Sequence, residues 1–448
     1  MMVVNSREIA MNILVDINKE KAYSNILINK YLDKNIDSRD EAFIREIVYG
    51  VLENKLYIDH IISKVSKIKL KKIHYYILEI LRMGIYQIVF MDKVPNNAAV
   101  DESVKLAKKY GHKGTIGYVN GVLRSIIRNK DRFLSIDVED RIDYISIKYS
   151  HPKFMVERWS KEYGIEFAEE LCKANNEVAP LNIRVNTLKI NREELKNRLS
   201  KKGIRTREGK YAYDCLVVEN PQGIVETSEF KKGFFTIQDE SSMLVSQIMA
   251  PIDGSMVLDV CAAPGGKSTH IGQIMNNRGI IISRDIFEHK IGLIKDNAKR
   301  LGIDIIKAEV FDALIKDENL VGKLDYCLLD APCSGLGLIR RKPEIKWNRL
   351  ETDIRDLSKL QYDIIDNIKD YIKIGGTLIY STCTIEKEEN ILLINRFIGE
   401  NPNFKLVSIE DRFLNRENLS TLKQGYIQLF PHIHGTDGFF IAKMRKEG

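Results

Sequence analysis

The chain has 448 residues, of which 44% are hydrophobic and 29% charged. That length asks for two to four domains at ~100 to 200 residues each, and with no uninterrupted apolar run of ~18 residues it excludes a membrane span, a collagen-like repeat and general disorder. The net charge of +7 gathers at one end, because residues 1–130 hold 22 Lys plus Arg against 14 Asp plus Glu, leaving 47 against 48 for the remainder.

This N-terminal excess sits in two clusters, Lys55, Lys64, Lys67, Lys69, Lys71 and Lys72, then Lys105, Lys108, Lys109, Lys113, Arg124, Arg128 and Lys130. A polyanion partner explains them, with Lys67, Lys69, Lys71 and Lys72 as candidate RNA contacts, and a solvated helical face explains them equally well. The opening MMVVNSREIAMNILVDINKE meets acids and Asn too early for a secretory signal, so a cytoplasmic location is expected. Six cysteines without any C-x-x-C pair argue for free thiols and against a disulfide framework or zinc site. His432 and His434 supply only two ligands, and no metal is expected.

Along the chain, Ile9, Ile13, Leu14 and Ile17 recur at helical spacing after a Ser6 that can cap. The stretch KKIHYYILEILRMGIYQIVF (71–90) is apolar almost all round, as a central helix would be. An all-helical domain over 1–135 follows. Residues 136–235 mix helical runs (HPKFMVERWSKEYG, NREELKNRLSKKG) with alternating apolar ones (LNIRVNT, YDCLVVEN), which reads as a small α+β connector. Residues 236–448 alternate strands (MVLDV, GIIIS, LDYCLLD, GGTLIYST) with loops and helices, predicting an α/β Rossmann-like domain with helices on both faces of a parallel sheet. GYIQLF and GFFIAKM, facing each other across PHIHGTD, predict a closing antiparallel hairpin.

Strand MVLDV runs into Cys261, Ala262, Ala263, Pro264, Gly265, Gly266 and Lys267, a loop of small residues that opens a helix and lets backbone approach a ligand. It matches neither a Walker A motif nor G-x-G-x-x-G, which disfavours a diphosphate ligand. Asp285, about 20 residues on, is placed to accept ribose hydroxyl protons, and Asp312 to reach an adenine amine. Strand, small-residue loop, acid, acid is the order of an S-adenosylmethionine site.

Cys333 and Cys383 follow two neighbouring parallel strands, where open α/β sheets place their ligands. Carbon 5 of a pyrimidine is too weak a nucleophile to take a methyl group unaided. Thiolate addition at carbon 6 makes it enamine-like, and loss of the carbon 5 proton then frees the enzyme. One thiol must add and a base must finish; spacing leaves open which cysteine does which. After them, Arg340, Arg341 and Lys342 beside Trp347 suit phosphate contact and base stacking, while the bland reading is a helix lead-in with a core tryptophan.

With DVCAAPGGK, LLDAPCSG, STCT and HGTDGFFIAKM in this order, the sequence resembles the RNA 5-methylcytosine methyltransferases of the Sun/Fmu type. YSHPKFMVERW, KANNEVAPLNIRVNT and FFTIQDESSMLV are similar to the bacterial 16S rRNA branch of that family, and the N-terminal region resembles its NusB-like domain. The resemblance implies Cys383 as nucleophile, Cys333 as the thiol that releases product, and Asp330 as the pocket acid on the cytosine edge. It also implies cofactor contacts from Cys261 through Lys267, Asp285, Asp312 and Asp330. The implied reaction is S-adenosylmethionine-dependent methylation of carbon 5 of a cytosine in 16S rRNA, at position 967, by a monomer. A tRNA cytosine methyltransferase and a non-catalytic ribosome assembly factor are the alternatives. Two departures stand out: the second strand ends Ser-Arg-Asp, and Phe rather than Gly precedes Asp312.

Overall fold

The computed structural model describes residues 5–20, 22–32, 36–221, 223–410 and 413–448. The chain divides into two compact units, one comprising 1–177 with 339–349 and the other 178–338 with 350–448.

The first unit is helical: α1 (Ser6–Glu20), α2 (Ser24–Tyr31), α3 (Ser38–Glu53), α4 (Lys55–Val65), α5 (Tyr75–Phe90), α6 (Asn96–Tyr110), α7 (Lys113–Arg128), α8 (Lys130–Leu134), α9 (Arg141–Lys148), α10 (Lys153–Tyr163) and α11 (Ile165–Ala174). The apolar stripe of α1 is buried as its spacing requires, at Ile13, Leu14 and Ile17. The cap differs from expectation. Asn5 Oδ1 accepts the Glu8 N–H at 3.1 Å, while Ser6 Oγ donates to Asp40 Oδ1 at 2.5 Å. Helix α5 is central, with Ile80, Leu81 and Ile85 fully buried, but it begins at Tyr75 because Leu70–Lys72 form a single 3₁₀ turn and His74 is extended. Its buried Arg82 is neutralised by Asp59 and Glu79, so a charge enters this core only with its partners. Among the described residues no helix is long and apolar enough to cross a membrane.

The second unit opens with β1 (Leu181–Val185), α12 (Arg192–Ser200), β2 (Thr206–Glu208), β3 (Cys215–Val218) and β4 (Phe235–Ile237), forming an antiparallel sheet of order β2-β3-β1-β4. Ile183 and Val185 of β1 pack with Leu195 and Leu199 of α12. Arg184, on the opposite face, is buried, bonds Gln238, and donates to Gly266 O at 2.6 Å and Thr269 Oγ1 at 3.0 Å.

There follow α13 (Glu240–Met249), β5 (Met256–Asp259), α14 (Gly266–Ile274), β6 (Ile280–Asp285), α15 (Glu288–Leu301), β7 (Ile306–Val310), β8 (Leu324–Asp330), α16 (Glu351–Ile368), β9 (Ile372–Thr382), α17 (Ile391–Glu400), β10 (Phe404–Leu406), β11 (Tyr426–Leu429) and β12 (Phe439–Lys446). The sheet order is β10-β12-β9-β8-β5-β6-β7, with β11 on β12. Strands β5 to β9 are mutually parallel, and β12 runs antiparallel to β11, as the expected closing hairpin, and also to β9 and β10, which the sequence pattern did not reveal. The order reverses between β5 and β8, so a crevice opens at their carboxyl ends.

Between β8 and α16, residues 339–349 belong to the helical unit. There Trp347 donates its indole N–H to Leu52 O at 2.9 Å, and Lys346, buried, donates to Glu53 O at 2.9 Å and Asn176 Oδ1 at 3.1 Å. Glu344, also buried, accepts the Ser24 N–H and Oγ–H, each at 2.9 Å. These contacts fit the alternative reading of Trp347 as a core tryptophan: its ring packs against the helical core and its donor is already satisfied. Trp347→Ala should therefore destabilise the protein by roughly 2 to 3 kcal/mol, less than a fully buried tryptophan because the ring is only half-buried. Chemical denaturation followed by circular dichroism measures this, and an unchanged midpoint would return Trp347 to the surface.

Candidate active site

Strand β8 ends at Asp330 and β9 passes beside it in register, Asp330 opposite Ser381. The chain continues to Cys333 on one side and Cys383 on the other, and the two sulfurs meet at 3.1 Å. Ser381 Oγ donates to Asp330 Oδ1 at 2.8 Å, and Lys267 Nζ, at the start of α14, donates to Asp330 Oδ2 at 2.6 Å. Burial pulls the Lys267 ammonium down, but the Asp330 carboxylate outweighs it and holds the lysine above its ordinary pKa, with a smaller push from Cys383. The hydrogen bond with Cys383 and then burial hold the Cys333 thiol well above the usual thiol range.

A cleft of about 240 Å³ opens here, lined by Cys261, Ala262, Ala263, Pro264, Gly266, Lys267 and Asp330 from the expected set, together with Asp259, Gln238 and Asp239 among others. Gly265 lies behind it with φ +94°, and an added Cβ would meet Ile294 Cα at 3.1 Å, so the turn requires glycine. Asp259 was not singled out from sequence. Buried at the end of β5, it accepts from Ser268 Oγ at 2.5 Å, yet its Oδ1 has no partner, and burial pushes its carboxyl up to about 7 with Asp330 and Asp285 adding to the effect. Such an oxygen is suited to a cationic or hydrogen-bond-donating ligand.

Asp285 ends β6, buried, accepting the Phe287 N–H at 3.1 Å with Lys290 Nζ at 3.5 Å. Asp312, after β7, is half-buried and accepts the Leu314 N–H at 3.0 Å. Neither lines the cleft itself; both stand at the carboxyl ends of the next strands along. The Ser-Arg-Asp departure has a structural reason. Arg284, buried, pairs with Glu309 and Asp317 at 2.6 Å each and lies 3.9 Å over the Phe311 ring, binding β6 to β7 and the loop beyond it.

Behind the thiols stands a buried polar layer that sequence reasoning missed. Glu389 accepts from Ser334 and Gln361, and Asn390 bonds the residues on both sides of Cys383. In sequence this is the run EKEEN, which reads as a solvated charged segment.

Among the RNA candidates, Lys67, Lys69, Lys71 and Lys72 are exposed, and Arg340, Arg341 and Lys342 are half-buried. The wider clusters are less free than their charge suggests. Lys64 pairs with Asp137, Lys105 with Glu102 and Lys109 with Glu8, while Lys55 is half-buried and donates to Asn18 Oδ1 at 2.6 Å.

Residues 246–445 match the family model described as 16S rRNA methyltransferase RsmB/F, residues 4–128 the NusB family, and residues 151–225 the ferredoxin-like domain of RsmF/B-like methyltransferases. The chain is 40% identical to the probable ribosomal RNA small subunit methyltransferase B of Bacillus subtilis (strain 168), over 99% of each chain. It is similar to the crystal structure of PH0851, at 27% identity and TM-score 0.81 over 99% of this chain and 100% of that one. NSun6 from Pyrococcus horikoshii, solved with SFG, matches at 26% identity and TM-score 0.58 over 66% of this chain and 98% of its own.

Two thiols 3.1 Å apart need only about 1 Å of further approach to reach disulfide bonding distance. The two-electron oxidant diamide should therefore link Cys333 to Cys383, giving one cross-linked peptide pair by mass spectrometry that dithiothreitol reverses. Recovery of both as separate peptides would show that the thiols do not face each other.

Proposed function

The chain belongs to the 16S rRNA methyltransferase RsmB/F family, and on that footing we propose that it transfers a methyl group from S-adenosylmethionine to carbon 5 of a cytosine in 16S rRNA, position 967, through a covalent cysteine–cytosine adduct. The observation that carries the proposal is the thiol pair beside the Lys267–Asp330 ion pair, at the carboxyl ends of adjacent strands. The domain assignment is 1–135 for RNA binding, 136–235 as connector and 236–448 for catalysis.

The residues fit an S-adenosylmethionine site. The small-residue loop leaves backbone open to a ligand, the unpartnered Asp259 Oδ1 offers an acceptor, and several carboxylates suit a cation. A structural relative was solved with SFG, an S-adenosylmethionine analogue. When bound, this cofactor supplies an electrophilic methyl group. Cys261 through Lys267 and Asp259 would hold it, with Asp285 at the ribose and Asp312 at the adenine.

Cys383 adds to carbon 6 of the extruded cytosine, and the electron pair moves toward carbon 5. Asp330, fixed by Lys267 and Ser381, orients the polar edge of the base. Once carbon 5 carries the methyl group, Cys333, having first released its own proton to solvent, takes the carbon 5 proton; the ring double bond re-forms and Cys383 leaves as the thiolate. Lys67, Lys69, Lys71 and Lys72, with Arg340, Arg341 and Lys342, contribute phosphate contacts.

Asp285→Ala should weaken S-adenosylmethionine binding by ~1 to 3 kcal/mol in calorimetry, because charge-assisted hydrogen bonds are lost. Equal affinity would move the ribose elsewhere. The two thiols separate in a gel assay. Cys383→Ala should abolish methylation and any covalent RNA complex, whereas Cys333→Ala should accumulate an RNA adduct that survives denaturing electrophoresis. The opposite pattern would exchange their roles.

A further inference from the structure

The buried layer behind the thiols explains how two nearly touching sulfurs take different parts. Glu389 is 0% exposed. Its Oε1 accepts the Ser334 N–H at 2.8 Å and the Gln361 Nε2–H at 2.9 Å, and its Oε2 accepts the Ser334 Oγ–H at 2.5 Å. The same Gln361 amide donates to Pro332 O at 2.9 Å. Pro332 and Ser334, the two neighbours of Cys333, are thus both held through one carboxylate. Tyr380 donates its hydroxyl to Glu389 O at 2.6 Å, fixing the backbone that carries it.

The Cys383 side takes a second anchor, although the Thr384 side chain also bonds Glu389. Asn390 Oδ1 accepts from Thr382 Oγ1 at 2.5 Å, and Asn390 Nδ2 donates to Thr384 O at 3.1 Å, so the residue after Glu389 holds both neighbours of the second thiol with neutral groups. Thr384 Oγ1 meets Ser334 Oγ at 2.7 Å and closes the layer. Among the described residues no lysine or arginine pairs with Glu389. Lys267 is on the Asp330 side and feels Cys383.

Resting on the methyltransferase reading above, we propose that Glu389 is the positioning residue that assigns the two thiols their parts, clamping the Cys333 loop and setting a fixed negative charge behind Cys333 rather than behind Cys383.

Among the groups facing Cys333 are Cys383 at the end of β9, Asp330 at the end of β8, and Glu389 from the segment before α17. The Cys383 hydrogen bond and burial are the largest influences, the Glu389 and Asp330 charges add to them, and all raise the thiol. The ionised form of the pair is thereby kept off Cys333, leaving Cys383 to attack. The same field makes Cys333, once ionised, the stronger base for the carbon 5 proton. Burial raises Glu389 itself above the usual carboxylate range, while its donors from Ser334, Gln361 and Thr384 pull the other way, toward the ionised form.

The test is a pH profile on the full-length protein without RNA or cofactor, using iodoacetamide as probe and reading each cysteine by mass spectrometry. In Glu389→Gln the amide carbonyl can replace Oε1 and its NH₂ can donate to Ser334 Oγ, which then donates to Thr384. The clamp stays and the charge goes. Cys333 alkylation at mildly alkaline pH should rise roughly tenfold, the size of effect one removed neighbouring charge produces, while Cys383 changes less. Equal Cys333 profiles in wild type and Glu389→Gln would overturn the proposal. Should that variant not fold, Cys383→Ala gives the second reading: with Glu389 intact, Cys333 should remain slower than a free thiol, and free-thiol reactivity would assign its inertness to the lost sulfur partner and overturn the proposal. Because no methylation is measured, this outcome is independent of whether the cytosine chemistry holds.

Discussion

A single carboxylate ties together the strand ends on which the site is built. Asp330 terminates β8, receives Lys267 from the helix that follows β5, and receives Ser381 from β9. Three neighbouring parallel strands are thereby joined at their carboxyl ends, at the point where the strand order reverses. Beyond the pair Asp330 and Ser381 the two chains run on to Cys333 and Cys383, whose sulfurs stand 3.1 Å apart. If either donor were lost, the carboxylate would be left partly buried without its partner, which costs more than the pair's net contribution.

The electrostatic character of the cleft comes from crowding of acids. Asp330 and Asp285 both act on Asp259, Lys267 pairs with Asp330, and Lys290 stands beside Asp285. The buried Asp259 carries the strain, with its carboxyl raised and one oxygen unbonded. A site arranged in this way is stabilised by a cationic ligand and destabilised by an anionic one, which accords with the absence of a phosphate-binding motif in the loop.

Much of this was legible in the sequence, for physical reasons. The order of strands and helices, the small-residue loop and the placement of both cysteines just past strand ends depend on local periodicity and local turn chemistry. What escaped depends on contacts distant in sequence. Glu389 lies in a run that looks solvated, and only β9 turning into α17 carries it inward to Ser334, 55 residues away. Trp347 looked like part of a lip beside the pocket, but its partner Leu52 lies 295 residues away, in the helical unit. The basic excess of residues 1–130 was real as a sum, yet Lys64 and Lys109 are paired with acids that only the fold brings near, and Lys105 with Glu102 one helical turn away. Arg284 departed from the usual strand ending because it serves Glu309 and Asp317.

The most direct test of the account is bisulfite sequencing of 16S rRNA from cells with and without this gene. The account predicts one cytosine, at position 967, that resists conversion when the gene is present and converts when it is deleted. Identical conversion maps in the two strains would contradict it.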